Sequence, residues 1–274
     1  MPTFRILVAY DGTDYVGWQR QTTGTSIQGV LEDTLRAFGE GEVPVAGAGR
    51  TDAGVHALGQ VASFTLARPL PCDTIVRALN ARLPGDVRVR SAVDVPASFH
   101  ARFDARTKTY RYRIWNGEVM PPFERRYAWH LRGPLDVGAM RCAARLIEGE
   151  HDFSAFQSAG SDVATTVRTI VGSTVNAEST DADGSMLGSM VTYEVSADGF
   201  LRHMVRSIVG TLIEIGRGRQ PVDWMTDVLE SRNRAIAGQT APALGLFLAR
   251  VSYHDTAEHT DTDGVRGQDR IGLP

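Results

Sequence analysis

Between Gly47 and Ala57 the chain reads Gly-Ala-Gly-Arg-Thr-Asp-Ala-Gly-Val-His-Ala, which places Arg50, Thr51, Asp52 and His56 among closely spaced glycines. Glycine lets a backbone bend tightly or approach a ligand closely. A carboxylate on such a loop, next to an arginine, is a candidate for proton transfer or nucleophilic attack. The competing reading is structural: an aspartate that closes an Asx-turn on its own backbone. The stretch is not a dinucleotide-binding fingerprint, because Gly47 and Gly49 would require a third glycine where Asp52 stands.

Two further places could supply partners. Phe200–Ile215 carries an apolar stripe of Leu201, Met204, Val205, Ile208, Val209 and Leu212 and reads as a helix. Arg206 falls at the edge of that stripe, one turn from Arg202. It either reaches water or pairs with a buried carboxylate. If the carboxylate is Asp52, the cation favours the ionised form and fixes its rotamer. In Thr109–Trp115, Tyr110 and Tyr112 alternate with Arg111 and Arg113, so a strand would put the tyrosines on one face and the arginines on the other. That pattern suits stacking on extruded bases and contact with phosphates, although tyrosines on a strand also pack in cores.

Other chemistries lack their residues. The seven histidines form no His-Glu-x-x-His or His-x-x-x-His pair, and Cys72 and Cys142 stand 70 residues apart, so no zinc pattern exists. There is no Gly-x-Ser-x-Gly elbow. Lys108 is the only lysine among 29 basic residues and follows no Walker loop, which excludes P-loop phosphoryl transfer.

The elements that must position these residues belong to a chain of 274 residues, enough for two domains or one large one. No apolar run approaches a membrane span, and the N-terminus lacks a basic region with an apolar stretch and cleavage site. Two unpaired cysteines suit a reducing cytoplasm. The net charge is −3, but the acids outnumber the bases five to two from Asp255 onward, and the rest is neutral. Residues 99–132 hold eight bases against three acids, and residues 200–219 hold four against one. A neutral body with such local excess can bind a polyanion along one face.

Strands are expected at Phe4–Tyr10, Val61–Leu66, Val87–Val95, Thr109–Trp115, Thr165–Val175, Met190–Ser196 and Gly245–Tyr253. Helices are expected from Ser26, which can cap a run ending at Gly39, over Asp73–Leu83, and from Asp136 to about Ile147. Strand–helix–strand–strand recurs in both halves. That order predicts an α+β fold with antiparallel or mixed sheets and helices on one face. The boundary is set near residue 104, giving domains over 1–104 and 105–254, and residues 255–274 read as a disordered tail.

Arg50-Thr-Asp-Ala-Gly-Val-His-Ala57 resembles the signature of the tRNA pseudouridine synthase A family. Tyr10-Asp-Gly-Thr-x-Tyr15-x-Gly-Trp-Gln19, Lys108-Thr-Tyr-Arg-Tyr112 and Phe200–Gly210 are similar to its opening, central and helical motifs. Ala241-Pro-Ala-Leu-Gly-Leu246 is similar to its closing motif, with Ala243 where a second proline is expected. The resemblance implies an α+β fold of two similar domains, with mainly antiparallel sheets, helices on the outer face and a catalytic cleft between them. It also implies a cytoplasmic homodimer that isomerises uridine to pseudouridine in the anticodon stem-loop of tRNA, at tRNA positions 38, 39 and 40, with no metal and no organic cofactor. Position by position, it implies that Asp52 is the catalytic carboxylate, that Tyr110 contacts the target base, that Arg206 pairs with the aspartate and that Arg50 helps hold the displaced nucleotide. Two alternatives are a non-catalytic tRNA-binding protein and a nucleoside or glycoside hydrolase. The hydrolase needs a second acid beside Asp52, whereas arginines dominate the candidate residues.

Overall fold

The computed structural model describes residues 1–37, 41–158, 163–179 and 188–254. Its elements in chain order are β1 (Thr3–Tyr10), α1 (Ile27–Leu35), β2 (Ala46–Gly47), β3 (His56–Thr65), α2 (Cys72–Asn80), β4 (Val87–Val95), β5 (Ala105–Gly117), β6 (Trp129–Leu131), α3 (Val137–Arg145), β7 (Gly149–Asp152), β8 (Val167–Ser179), β9 (Gly188–Ala197), α4 (Met204–Gly216), α5 (Trp224–Ser231) and β10 (Leu246–Tyr253). The fold is α+β, as the element order predicts. The strands form a sheet in the order β4-β1-β3-β10-β5-β9-β8-β7, with β2 beside β3 and β6 beside β5. Pairing is antiparallel except for β3 with β10 and β5 with β6.

The last strand carries the architecture. β10 comes from the end of the described chain yet lies between β3 and β5, pairing Phe247 with His56 on one side and Leu248 with Tyr110 on the other. It therefore draws the strand that follows the Asp52 loop towards the strand that carries the tyrosines. Gly59 makes the approach possible, since a Cβ there would stand 2.5 Å from the Ala249 carbonyl oxygen.

Local chemistry explains the helices. The Ser26 side chain accepts from the Gly29 amide and Asp136 from the Ala139 amide, each satisfying an orphan donor of a first turn. α1 buries Ile27, Leu31 and Leu35 completely against the inward residues Phe4, Ile6 and Val8 of β1 in one cluster. Truncating Leu31 to alanine there costs about 2–5 kcal/mol. α4 is buried on nearly every side, as an apolar central helix must be.

The α4 expectation needs correction at its start. The helix begins at Met204, not Phe200, because His203 turns the chain through a left-handed conformation with φ of 62°. Leu201 is buried and so extends the apolar periodicity, but it belongs to the preceding turn. Arg202 is therefore not one helical turn from Arg206. The strand expected at Val61–Leu66 also begins earlier, at His56, so the second half of the loop motif is already sheet. The tail expected over 255–274 lies outside the described residues.

Candidate active site

Asp52 lies on the connection between β2 and β3, with its side chain 32% exposed. Arg206 reaches it from the first turns of α4, with Nη1 3.5 Å from Oδ2. The guanidinium is aimed by its other end: Nε donates to the Ala241 carbonyl at 2.7 Å. The Asx-turn reading fails at position 52 and holds at Asp11, whose carboxylate accepts from the Thr13 amide at 3.0 Å. Asp52 instead directs its carboxylate across the sheet to a residue 154 positions later.

The opening motif forms the bed for this loop. Trp18 donates its amide to the Thr51 carbonyl at 3.0 Å, Gly54 donates to Tyr15, and the Tyr10 hydroxyl lies 2.9 Å from Thr51 Oγ1. Buried Gln60 adds a bond to the Gly49 carbonyl at 2.8 Å. Gly17 has φ of +107° and passes close under the same carbonyl, where a Cβ would stand 2.5 Å from Thr51 O. Only glycine satisfies both conditions.

Tyr110 is buried, and its ring meets Phe200 edge-on at 5.0 Å. Burial pushes its phenol well above the ordinary tyrosine range, and the nearby Tyr10 and the Asp52 charge push the same way. Its hydroxyl therefore stays protonated at neutral pH. Tyr112, on the same face, is fully buried and locked by a 2.7 Å bond to the Pro242 carbonyl, so of the two only Tyr110 is free to serve the site. The arginine face of β5 differs from the expectation of phosphate contacts. Arg111 is bound to Glu194 at 2.9 Å and Arg113 to Glu124 at 2.8 Å, which neutralises both cations. Arg50 is exposed and without a side-chain partner among the described residues.

Two features escaped the sequence reading. His203 places Nε2 3.4 Å from Asp52 Oδ2. Burial holds its pKa below the ordinary histidine value, the Asp52 charge opposes this, and Arg206, Arg202 and Arg234 reinforce it. The imidazole is accordingly neutral at pH 7, leaving Arg206 as the permanent positive partner. A left-handed non-glycine residue is uncommon, and such conformations concentrate at functional sites. The signal available in the sequence was Arg-His-Met-Val-Arg itself, in which His203 precedes Arg206 by three. The second feature is the closing segment 241–244. Its carbonyls hold Arg206 (Ala241), Tyr112 (Pro242) and the His56 ring (Leu244, 3.1 Å). Backbone acceptors leave no trace in residue type. The alanine at 243 packs its Cβ near Gly54 and disturbs none of these bonds.

His56 is a brace for the loop. Its Nδ1 lies 3.0 Å from the Gly12 amide and 3.1 Å from Asp11 Oδ1, and Nε2 lies 3.1 Å from the Leu244 carbonyl; in the neutral ring Nδ1 accepts from Gly12 and Nε2 donates to Leu244. Burial depresses its pKa, with Asp11 partly offsetting. Among the described residues, no three His, Cys, Asp or Glu side chains converge as a metal site, and no helix is long and apolar enough to cross a membrane.

The fold and the site thus define an α+β protein with a carboxylate set against a guanidinium, a neutral imidazole and a buried phenol. A family profile described as tRNA pseudouridine synthase matches residues 6–104 and 143–254. The chain belongs to that family. It is 47% identical over 255 residues to a tRNA pseudouridine synthase A of Myxococcus xanthus, covering 93% of each chain. It is 48% identical to the Moorella thermoacetica protein of the same name, over 92% of this chain and 100% of that one. The Limosilactobacillus fermentum protein of that name is 44% identical over 94% and 98%.

Proposed function

We propose that this protein isomerises uridine to pseudouridine in the anticodon stem-loop of tRNA, at positions 38, 39 and 40, and that it works as a cytoplasmic homodimer. The observation that carries the reading is the convergence of Asp52 with Arg206, from opposite ends of the chain, beside Tyr110. Residues 1–104 supply the carboxylate loop and residues 105–254 the tyrosine strand and the arginine helix, in keeping with two domains meeting at the site.

The reaction breaks the N1–C1′ glycosidic bond, turns the uracil and joins C5 to C1′. The hydrogen on C5 is lost as a proton and N1 gains one, so no group or electron is exchanged and no cofactor is required. Ionised Asp52 can start it by attacking C1′ or by removing the C2′ proton, and Arg206 holds the carboxylate for either route. Tyr110 offers the uracil a ring to lie against and a protonated hydroxyl. Its raised pKa argues against a resident phenolate as the base that takes the C5 proton. With Asp52 a third exposed, the flipped nucleotide would itself complete the seal against water. Extrusion costs a few kcal/mol, which stacking and arginine contacts offset, and Arg50, on the same loop and without a side-chain partner among the described residues, would contribute.

The hydrolase reading needs a second carboxylate about 5–10 Å from the first to serve a glycosidic bond. The groups in contact with the Asp52 carboxylate are His203 and Arg206, which suit a single carboxylate held by a cation. The test is to incubate unmodified tRNA with purified protein and map pseudouridine. Conversion at the anticodon stem-loop is expected; release of free uracil would favour the hydrolase, and binding without conversion the passive RNA-binding protein.

A further inference from the structure

A groove of about 490 Å³, lined by none of Asp52, Tyr110 and Arg206, lies where the start of β1, the end of β4, the segment before β5 and the end of β10 meet. Its walls include Arg5, Phe99, Phe103, Arg106, Tyr253 and His254. Phe99 and Tyr253 pack with ring centroids 5.2 Å apart, and the Arg5 guanidinium lies over both, at 5.9 and 5.6 Å. Phe103 is 74% exposed, which is unusual for a ring with this much apolar surface. It is nevertheless held in place, with the His100 ring at 4.3 Å and the Arg102 guanidinium at 5.8 Å from its centroid. The one acid in the lining, Asp104, turns one carboxylate oxygen to the His100 backbone amide at 2.8 Å.

The groove connects to the catalytic loop through cations. The Lys108 stem lies within 3.7 Å of where a Cβ on Gly49 would stand. Burial and the positive charges of Arg102 and Arg168 hold its ammonium below the usual lysine range, and Asp198 only partly compensates. Lys108 thus lies beside the loop carrying Asp52 and within electrostatic reach of Arg102, the guanidinium that braces the exposed ring.

We propose that this groove is a second nucleotide-binding site, in which a base of the substrate RNA outside the target position stacks on Phe103 while Arg102 and Arg106 take the adjoining phosphates. The inference rests on RNA being the substrate and extends that reading to a part of the protein remote from the chemistry. An exposed aromatic flanked by guanidinium groups matches the composition of single-strand RNA contacts, where stacking is tolerant of base identity. The volume suits a nucleotide-sized ligand. A second copy of this chain fits less well. The groove lining carries Arg5 and Arg106 against the single acid Asp104, with Arg102 against the exposed ring, a charge balance that complements a polyanion better than another copy of the same patch.

The test measures the dissociation constant for full-length unmodified tRNA with the whole chain and with Phe103→Ala, Phe103→Tyr and Arg106→Gln. Phe103 is exposed enough for all variants to fold, which melting curves check. Phe103→Ala is expected to weaken binding about tenfold, within the range for loss of one base–aromatic stack. Phe103→Tyr keeps the ring and should stay within about twofold of wild type. Arg106→Gln should reduce the slope of log affinity against log salt by nearly one. Affinity within twofold of wild type for Phe103→Ala would overturn the proposal, as would a change in oligomeric state with unchanged tRNA affinity. Turnover at saturating tRNA reports on the isomerase reading alone, so failure of that reading and failure of the groove are separately visible.

Discussion

Gly17→Ala tests whether the opening motif positions the catalytic loop. A methyl at residue 17 would stand 2.5 Å from the Thr51 carbonyl oxygen, 3.1 Å from the Asp52 carbonyl carbon and 3.2 Å from the Ala53 nitrogen. Ordinary contact begins near 3.4 Å, so the Thr51 carbonyl must retreat by about 0.9 Å. That movement also lengthens the 3.0 Å bond from the Trp18 amide. Holding alanine at φ of +107° adds about 1–2 kcal/mol of strain, and the weakened bond about 1 kcal/mol. The sum is about 2–3 kcal/mol, or a fall in melting temperature of roughly 5–10 °C for a chain of this length. The effect on turnover should be larger than stability alone predicts, because a displacement near 1 Å at a reacting group costs about a hundredfold. The assay is single-turnover conversion of unmodified tRNA well below the melting temperature, alongside Gly85→Ala. A Cβ at Gly85 meets nothing within 4 Å, so that variant should be neutral in both measurements. Gly17→Ala with turnover within threefold of wild type would refute the link from the opening motif to Asp52.

Arg206→Ala removes a cation 3.5 Å from Asp52 Oδ2. Coulomb attraction at that distance runs from about 1 kcal/mol at the dielectric of water to about 5 kcal/mol at an effective dielectric of 20. With side chains 15% and 32% exposed, about 2 kcal/mol is reasonable, a loss of roughly thirtyfold in turnover. Full activity in neutral Arg206→Gln would show that charge pairing is irrelevant. Tyr110 has a raised pKa, so the pH–rate profile should show no limb below about pH 10 that disappears in Tyr110→Phe. Such a limb between pH 7 and 9 would mean that the phenolate is present. His56 and His203 both have depressed folded pKa values. The unfolded chain then binds more protons, so their contribution to stability is complete above about pH 6.5 and is lost as pH falls through the folded values. Melting temperature should drop between pH 7.5 and 5.5, with a shallower slope in His56→Gln; an unchanged slope would exclude His56 as a source.

Local features were legible because local chemistry sets them. Ser26 and Asp136 cap the helices they were expected to cap, and the β5 alternation does place Tyr110 and Tyr112 on a buried face. What escaped was non-local or carried by backbone. Nothing in Leu246–Tyr253 says that it will lie between β3 and β5, yet that placement brings the two halves of the site together. β7 reads Gly-Glu-His-Asp and sits at the sheet edge, where no apolar alternation is needed. α5 did carry a signal in Met225, Val228 and Leu229 at helical spacing. The start of α4 was misplaced because Leu201 is buried from a turn just as it would be from a helix. Arg111 and Arg113 looked available for phosphate because Glu194 stands 83 residues from Arg111, and nothing in residue type shows that the turn carrying Glu124 folds back onto β5.

The most direct test of the account is Asp52→Asn, which keeps the shape of the side chain and removes its charge. The measurement is pseudouridine formed per molecule of unmodified tRNA in a single-turnover reaction, with tRNA affinity measured on the same preparation. Turnover is expected to fall by about a hundredfold to ten-thousandfold, with affinity within a few-fold of wild type, because Arg50 and the groove around Phe103 are untouched. Conversion by the asparagine protein near the wild-type rate would place the chemistry elsewhere and contradict the central claim.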